Sequence, residues 1–546
     1  MKKKTKKRMV KWLATCLAMV LVWAMGLTSL AEKPSTLADL AGDFKGIITV
    51  QNLDKGTTVS LYPIISVNLS GNNKPENPLY QWDDNVAAWL RKNGYEQYVN
   101  SDGSVSGQFN ATDVPEVNAT EVWEKMAAAI KNGRIEGITS NESAVVSSDE
   151  GSVTFTEKGL GVYLLTAKGG VNIYQPTVVS FLPKYNEDTK KWEVDESNAT
   201  KEMKKAEPTI TKTVPVFAQN QVEVGEVVTY QLEVTVPSYP NDSTTHLFDV
   251  TDTMGAGLEF QAESIRVFQG EGDTPIEGDN NFTVSEPGEN DAWDFKINFK
   301  EPVVTKYEGQ KLKITYDAKV TAQAFEPDAL RNTATLTYSN DPYGVKPTEK
   351  TSPYEIYTYG ITVNKRDNAT PLSGAVFTLA KAETEDTHLT FSGSNGKYTY
   401  DSEGTETELV VNNQDAEKGK LELRGLDVGT YVLKEITAPD GYVLPTGEIR
   451  IVVEDAVSEN NRLDGTIDDS AIAKVEKTGT MEFNDVIIQK NVISLDVENV
   501  SDEDAAFDLP YTGGMGTLIF TVVGILLMGG AAIMVLMISR RKKSSN

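Results

Sequence analysis

Two lysines and two carboxylates occupy positions that strand parity turns inward. Ile361, Val363 and Lys365 share one face of an alternating run, and Tyr431, Leu433 and Glu435 share one face of another. The logic recurs with Lys212 in Pro208-Thr-Ile-Thr-Lys212-Thr-Val and with Phe248, Val250 and Asp252, whose shared parity prefers Asp252 over Asp249. Burial lowers the pKa of an amine and raises that of a carboxyl, so such a pair tends towards neutrality. A neutral amine is a nucleophile, and a protonated carboxyl can polarise a carbonyl by donating to its oxygen. With a carboxamide held at contact distance, proximity replaces an external catalyst. The amine attacks the amide carbon, ammonia leaves, and an amide bond joins two strands. Such a reaction turns over once, and the protein is its own substrate.

The two ends carry an address. Leu509-Pro510-Tyr511-Thr512-Gly513-Gly514 precedes an apolar run over about 517–538 and then Arg540-Arg541-Lys542-Lys543. At ~1.5 Å rise per residue the run can cross a ~30 Å hydrocarbon core as a helix, and the basic cluster stays cytoplasmic. Residues 1–11 are strongly basic, 12–27 mostly apolar, and Ser29-Leu30-Ala31 offers small residues for cleavage, so an exported chain starts near Glu32. The single cysteine, Cys16, falls in that leader, which leaves the exported part without disulfides.

Composition narrows the function. Seven of the 52 cations lie in the leader and four after Thr512, whereas all 79 anions lie between, giving that span a net charge of −38. A nucleic-acid partner is excluded for such a surface. Two histidines, His246 and His388, and no exported cysteine argue against a metal site, and no cofactor is expected. There is no Gly-rich phosphate loop, no Gly-x-Ser-x-Gly and no plausible Ser/His/Asp set, so turnover of a diffusible substrate is not expected.

The body reads as mostly β. Alternating runs at Gly46–Gln51, 227–236, 311–318, 334–338, 361–365, 430–435 and 448–453 lie between Gly, Asn, Asp and Pro clusters, the pattern of tandem immunoglobulin-like sandwiches. The first domain adds helices over about 83–92 and, after the capping box Asn118-Ala-Thr-Glu121, over 122–130 until Gly133. Polar breaks at 197–207, 339–353 and 489–508 divide the chain. The expected segments are a signal peptide 1–31, domains 32–204, 205–348 and 349–490, an acidic stalk 491–508, the motif 509–513, and a transmembrane helix with basic tail over 514–546.

Gly429-Thr-Tyr-Val-Leu-Lys-Glu435-Ile-Thr-Ala-Pro-Asp-Gly-Tyr442 resembles the E-box of pilin subunits and of collagen-adhesin (Cna) B-type domains, and Ile361–Lys365 with Pro371-Leu-Ser-Gly-Ala-Val-Phe-Thr-Leu379 resembles the first strands of that domain type. Domain two resembles the isopeptide-forming second domain of fimbrial subunits, and the carboxyl end resembles a cell-wall sorting signal. Together the chain resembles a major (backbone) pilin of sortase-assembled Gram-positive pili. The resemblance implies Lys365 as nucleophile, Glu435 as proton donor and Asn484 as acceptor, although alternation from Met481 and Phe483 aims Asp485 inward instead. It implies Lys212 with Asp252 as donor and Asn332 or Asn340 as acceptor, with Asn332 preferred because Asn340 opens an Asn-Asp-Pro turn. Gly161-Val-Tyr163-Leu-Leu165-Thr-Ala167 repeats the E-box spacing with alanine at the carboxylate position, so no bond of this type is expected in domain one.

The resemblance further implies cleavage between Thr512 and Gly513, with recognition of Leu509 and Pro510, by pilin-specific and housekeeping sortases. Thr512 would pass to a lysine of another copy, head-to-tail, or to peptidoglycan. The family's Tyr-Pro-Lys is not present; Lys201 lies at a fitting distance from Trp192, and Lys184 in Leu182-Pro183-Lys184 is a second candidate. Tip and accessory pilins and host ligands are further implied partners, on the surface of a Gram-positive bacterium. The other functional class is a monomeric wall-anchored adhesin whose first domain binds a host ligand.

Overall fold

The computed structural model describes residues 44–502 apart from 70–74, 108–118, 217–220, 326–327, 456–470 and the single positions 139, 141, 190, 345 and 490. The expected leader, sorting motif and transmembrane segment lie outside the described residues. Among the described residues no helix is long and apolar enough to cross a membrane.

The chain is mostly β and its strands group into three successive sandwiches. In the first, β1 (Gly46–Gln51), β2 (Thr58–Leu69), β3 (Val153–Lys158), β4 (Gly161–Lys168), β5 (Ile173–Tyr174), β6 (Thr177–Asn186), β7 (Thr200–Glu202) and β8 (Lys205–Ala206) form the frame. A small sheet runs β7-β1-β3, and β2, β4 and β6 are consecutive in a larger one. Helices α1 (Asp84–Lys92) and α2 (Ala119–Lys131) pack on the larger sheet's other face. The Asp83 carboxylate caps α1 by accepting from the N–H groups of Asn85 and Val86. Along α2, Val122, Trp123, Met126, Ala127 and Ile130 are buried, the i, i+3, i+4 stripe read from the sequence.

The second sandwich holds β9 (Ile210–Thr213), β10 (Val227–Thr235), β11 (Phe248–Met254), β12 (Phe295–Phe299), β13 (Lys311–Val320), β14 (Arg331–Ser339) and β15 (Pro347–Glu355). One sheet runs β9-β10-β13; the facing sheet runs β12-β11-β14-β15. Inward residues follow the period of two: Val228, Tyr230, Leu232 and Val234 on β10 meet Phe248, Val250, Ala334 and Leu336 from the other side.

The third holds β16 (Tyr359–Asp367), β17 (Val376–Lys381), β18 (Lys420–Leu426), β19 (Gly429–Thr437), β20 (Ile449–Asp455), β21 (Ala471–Lys477), β22 (Glu482–Gln489) and β23 (Val492–Glu498). Its sheets run β18-β16-β23-β22 and β17-β19-β20-β21.

Each expected break contains paired strand. β7 and β8 lie within 197–207, and β8 pairs with β5 of the first sandwich. The segment 339–353 contains most of β15, and the expected stalk contains β23, which pairs in parallel with β16 from Val492 to Glu498. The stalk is thus corrected over 492–498. Short, half-exposed or acid-flanked strands show few large apolar residues, so their alternation resembles linker composition.

Candidate functional site: two buried lysine–carboxyl–carboxamide clusters

In the second sandwich Lys212 comes from β9, Asp252 from β11 and Asn332 from the start of β14, so two sheets converge on one point. All three residues are fully buried. Lys212 Nζ lies 2.6 Å from Asp252 Oδ2 and also donates to Asn332 Oδ1. The Tyr316 hydroxyl donates to Asp252 Oδ2 at 2.9 Å, and Asn332 Nδ2 donates to the Tyr316 oxygen at 3.1 Å. The cross-strand pair Tyr230 and Tyr316 presents its rings to the amine at 5.3 and 5.5 Å. Burial brings the Lys212 amine down to about 8 against the pull of Asp252, and burial raises the Asp252 carboxyl. Asn340 is elsewhere: its Nδ2 donates to the Gly170 carbonyl of the first sandwich at 2.6 Å. Asp249 faces away, bound by Lys296 at 2.8 Å and by Asn298.

In the third sandwich Lys365 on β16 lies 3.4 Å from Glu435 Oε2 on β19 of the facing sheet, with both side chains fully buried. Burial lowers the Lys365 amine to about 8 and raises the Glu435 carboxyl. The carboxamide at this cluster belongs to Asn499, whose Nδ2 donates to Glu435 Oε1 at 2.9 Å. Asn499 follows β23 directly, and Val497, two residues earlier, is level with Lys365 in the parallel register.

Asn484 and Asp485 do not reach this cluster, which corrects both acceptor assignments. They lie on β22, separated from β16 by β23, and both are exposed. A bulge between Asn484 and Ile487, with Asp485 at φ 45°, breaks the alternation that pointed Asp485 inward. Asn484 instead donates to Glu498 at 2.9 Å. The missed signal was the alternation Ile493, Leu495, Val497, Asn499, hidden by the acidic residues between and after them.

The first sandwich has a cluster of the same composition and opposite electrostatics. Asp54 Oδ1 receives Asn172 Nδ2 at 2.9 Å and Lys205 Nζ at 3.1 Å, and Oδ2 receives the Val171 N–H at 3.1 Å. Burial alone would raise the Asp54 carboxyl, yet Asn172, Lys205, Tyr174 and Val171 outweigh it and hold it below its usual range. Ala167, at the carboxylate position of the repeated spacing, is level with Val59 of β2.

A serine–histidine–glutamate order also exists that the sequence reading did not anticipate. Ser243 Oγ lies 2.7 Å from His246 Nε2, and Glu301 Oε1 lies 3.7 Å from Nδ1. Ser243 is buried and the glutamate is beyond hydrogen-bond reach, so the contact fastens a local turn.

Both inter-subunit candidates are on the first sandwich. Lys201 on β7 is half-buried and lines a cavity of about 140 Å³ with Trp123, Gln175, Asn198 and Lys204; burial, with Lys204 adding to it, lowers its amine. Lys184 on β6 is exposed, opposite Glu193.

Residues 359–466 match the SpaA family model, a prealbumin-like fold domain, and residues 501–545 match the LPXTG cell wall anchor motif. The chain is 24% identical over 460 residues to the trypsin-resistant surface T6 protein of Streptococcus pyogenes serotype M6, covering 71% of this chain and 80% of that protein. The solved T6 backbone pilin of that serotype superposes with a TM-score of 0.52 at 19% identity, over 85% of this chain and 99% of that one. The full-length major pilin SpaD of Corynebacterium diphtheriae gives 0.45 at 17% identity, over 85% and 100%. The chain thus carries a SpaA-type prealbumin-like domain and an LPXTG cell wall anchor motif, and over most of its length it is similar to a Streptococcus pyogenes surface protein whose solved structure is that of a backbone pilin.

Proposed function

We propose that this chain is the structural subunit of a sortase-assembled pilus shaft, stapled internally by two autocatalytic isopeptide bonds, Lys212–Asn332 and Lys365–Asn499, and joined head-to-tail through Thr512 and Lys201. The observations that carry the staples are two buried clusters: in one the Lys212 amine meets both the Asp252 carboxyl and the Asn332 carboxamide, and in the other the Glu435 carboxyl meets both the Lys365 amine and the Asn499 carboxamide. In each, the proton shared between amine and carboxyl settles on the carboxyl, because a charged pair is costly in a low dielectric. The neutral amine attacks Cγ of the asparagine while Asp252 or Glu435 donates its proton towards the carboxamide oxygen. The amide nitrogen departs as ammonia, carrying the proton lost by the amine. The carboxamide of Asn499 turns about its last bond to present oxygen rather than nitrogen to Glu435, an exchange that leaves its volume unchanged. In the first sandwich the Asp54 carboxyl is held below its usual range and has no proton to donate, so no bond forms there.

Intact mass of the exported chain tests this directly: two ammonia losses are expected, about 34 Da below the sequence mass, with Lys212 and Lys365 found in cross-linked peptides. A mass equal to the sequence mass would overturn it.

Lys201 is the better acceptor of the Thr512 acyl group because its amine is partly desolvated beside a cavity, which lowers its pKa and favours the neutral nucleophile. In sortase-driven polymerisation, Lys201→Ala is expected to reduce the SDS-resistant ladder of wall extracts to a single subunit band, and Lys184→Ala to leave it intact. The reverse pattern would move the junction to Lys184. A single band from the unaltered chain would favour the monomeric anchored adhesin. The housekeeping sortase would then transfer the last Thr512 to peptidoglycan.

A further inference from the structure

Closing the bond in the second sandwich requires a proton at one particular atom. Attack of the neutral Lys212 amine on Cγ of Asn332 leaves one proton too many on the lysine nitrogen. It leaves one too few on the amide nitrogen, which departs only as ammonia. The surplus proton has an acceptor at hand, since Asp252 Oδ2 is 2.6 Å from Lys212 Nζ. Its onward route is not direct. Asp252 Oδ2 is held by Lys212 and Tyr316, and Oδ1 has no partner, so the carboxyl does not bond the carboxamide nitrogen itself. The Tyr316 hydroxyl stands between them, 2.9 Å from Asp252 Oδ2 and 3.1 Å from Asn332 Nδ2.

Packing fixes that hydroxyl. Tyr316 lies on β13, in the sheet facing β11 and β14, which carry Asp252 and Asn332. Its ring stacks on that of its register partner Tyr230 at 5.6 Å and meets Phe295 edge-to-face at 4.9 Å. Lys212, Asp252, Tyr316 and Asn332 are all fully buried, so bulk water does not reach the leaving nitrogen. A phenol can accept a proton and donate one at the same oxygen. Burial holds the Tyr316 phenol well above its ordinary value, so a free phenolate is not formed and the two transfers move together.

We propose that Tyr316 is a catalytic residue of the Lys212–Asn332 bond, relaying a proton from Asp252 to the departing amide nitrogen. This rests on the staples proposed above. After lending its proton to the carboxamide oxygen, Asp252 takes the surplus proton from the lysine nitrogen. The Asp252–Tyr316 hydrogen bond then reverses: the carboxyl donates to the phenol oxygen as the phenol proton passes to Nδ2. The Cγ–Nδ2 bond breaks, its electron pair leaves with ammonia, and the proton on the carbonyl oxygen returns to Asp252. Asp252 and Tyr316 end as they began. In the third sandwich Glu435 meets the Asn499 carboxamide itself, at 2.9 Å, so that bond needs no relay.

The test uses the chain from Glu32 to Thr512, kept in denaturant from synthesis until its mass equals the sequence mass, then refolded by dilution. Intact mass and cross-linked peptides are followed over time. Tyr316→Phe keeps the ring and its packing. It is expected to slow the Lys212–Asn332 bond at least about 100-fold and to leave the rate of Lys365–Asn499 unchanged. Hydrogen-exchange protection of β10 and β13 checks that the variant has folded. Equal rates for the first bond with and without the hydroxyl overturn the proposal. A second measurement on the unaltered chain separates relaying from positioning. Two protons moving together make the rate of the first bond fall along a curve as deuterium replaces hydrogen in the solvent. A straight line overturns the relay even where Tyr316→Phe is slow or unfolded. No ammonia loss from the unaltered chain would instead overturn the staples, and this inference with them.

Discussion

Asp252→Asn is expected to leave the second sandwich unstapled and much less stable. The substitution keeps shape and polarity at the point where Lys212, Tyr316 and Asn332 meet, but asparagine has no acidic proton to give and no charge to draw one from the amine. Intact mass should fall short of the sequence mass by one ammonia rather than two. A cross-link between Lys212 and Asn332 closes a loop of roughly 120 residues, and loss of that constraint costs about 5 kcal/mol of chain entropy on folding. The unpaired buried ammonium adds a cost on the order of 3 kcal/mol. For a domain of this size the sum lowers the midpoint of its thermal transition by roughly 20 °C. Lys212→Met separates the two contributions, because it removes the bond and the buried charge together; its midpoint should fall by less than that of Asp252→Asn. Calorimetry of both variants beside mass spectrometry checks the argument. A full complement of ammonia losses in Asp252→Asn would sink the carboxyl's role.

What the sequence discloses follows from how strongly each residue's environment constrains it. Asp252, Lys365 and Glu435 lie within alternating apolar runs, and Lys212 lies between Ile210 and Val214 in a shorter one, so parity sends all four to the core, and there the structure places them. Asn332 and Asn340 have the same parity on β14, and only the third dimension separates them: one meets Lys212, the other reaches the first sandwich. Helices α1 and α2 were legible in the sequence, α2 through the helical spacing of Val122 to Ile130; the expected cap residue Asn118 lies outside the described residues. The edges of the sandwiches were not. β15 is buried only toward its inner end and is rich in Thr and Glu, while β23 alternates apolar residues with Ser, Asp and Glu before an acidic tail. Both obey the period of two, but β15 has Tyr354 as its one large apolar residue and β23 leads into an acidic tail, and composition outweighed pattern. The acceptor in the third sandwich was lost for the same reason, since it follows one of those strands.

Asn499→Ala is expected to abolish the bond in the third sandwich, and Asn484→Ala to leave it untouched. The exposed Asn484 side chain holds only Glu498 at the surface, so its removal should cost within about 0.5 kcal/mol and leave both ammonia losses in place. Asn499 is buried, and its amide bridges Glu435 and the Val443 carbonyl. Its replacement should remove one ammonia loss and, through a loop of roughly 134 residues, about 5 kcal/mol of stability. The consequence extends beyond the domain. β23 is the last described strand before the sorting motif and lies between β16 and β22. With Asn499 bonded to Lys365, a pull on Thr512 is carried into β16 by covalent bonds. In Asn499→Ala the same pull falls on the hydrogen bonds of β23, which should be stripped from the sheet and expose Ile493, Leu495 and Val497. Pulling through the carboxyl end then reads a new step on the order of 400 Å from the unshielded domain. Asn499→Ala without that step, or Asn484→Ala with it, would return the acceptor to β22.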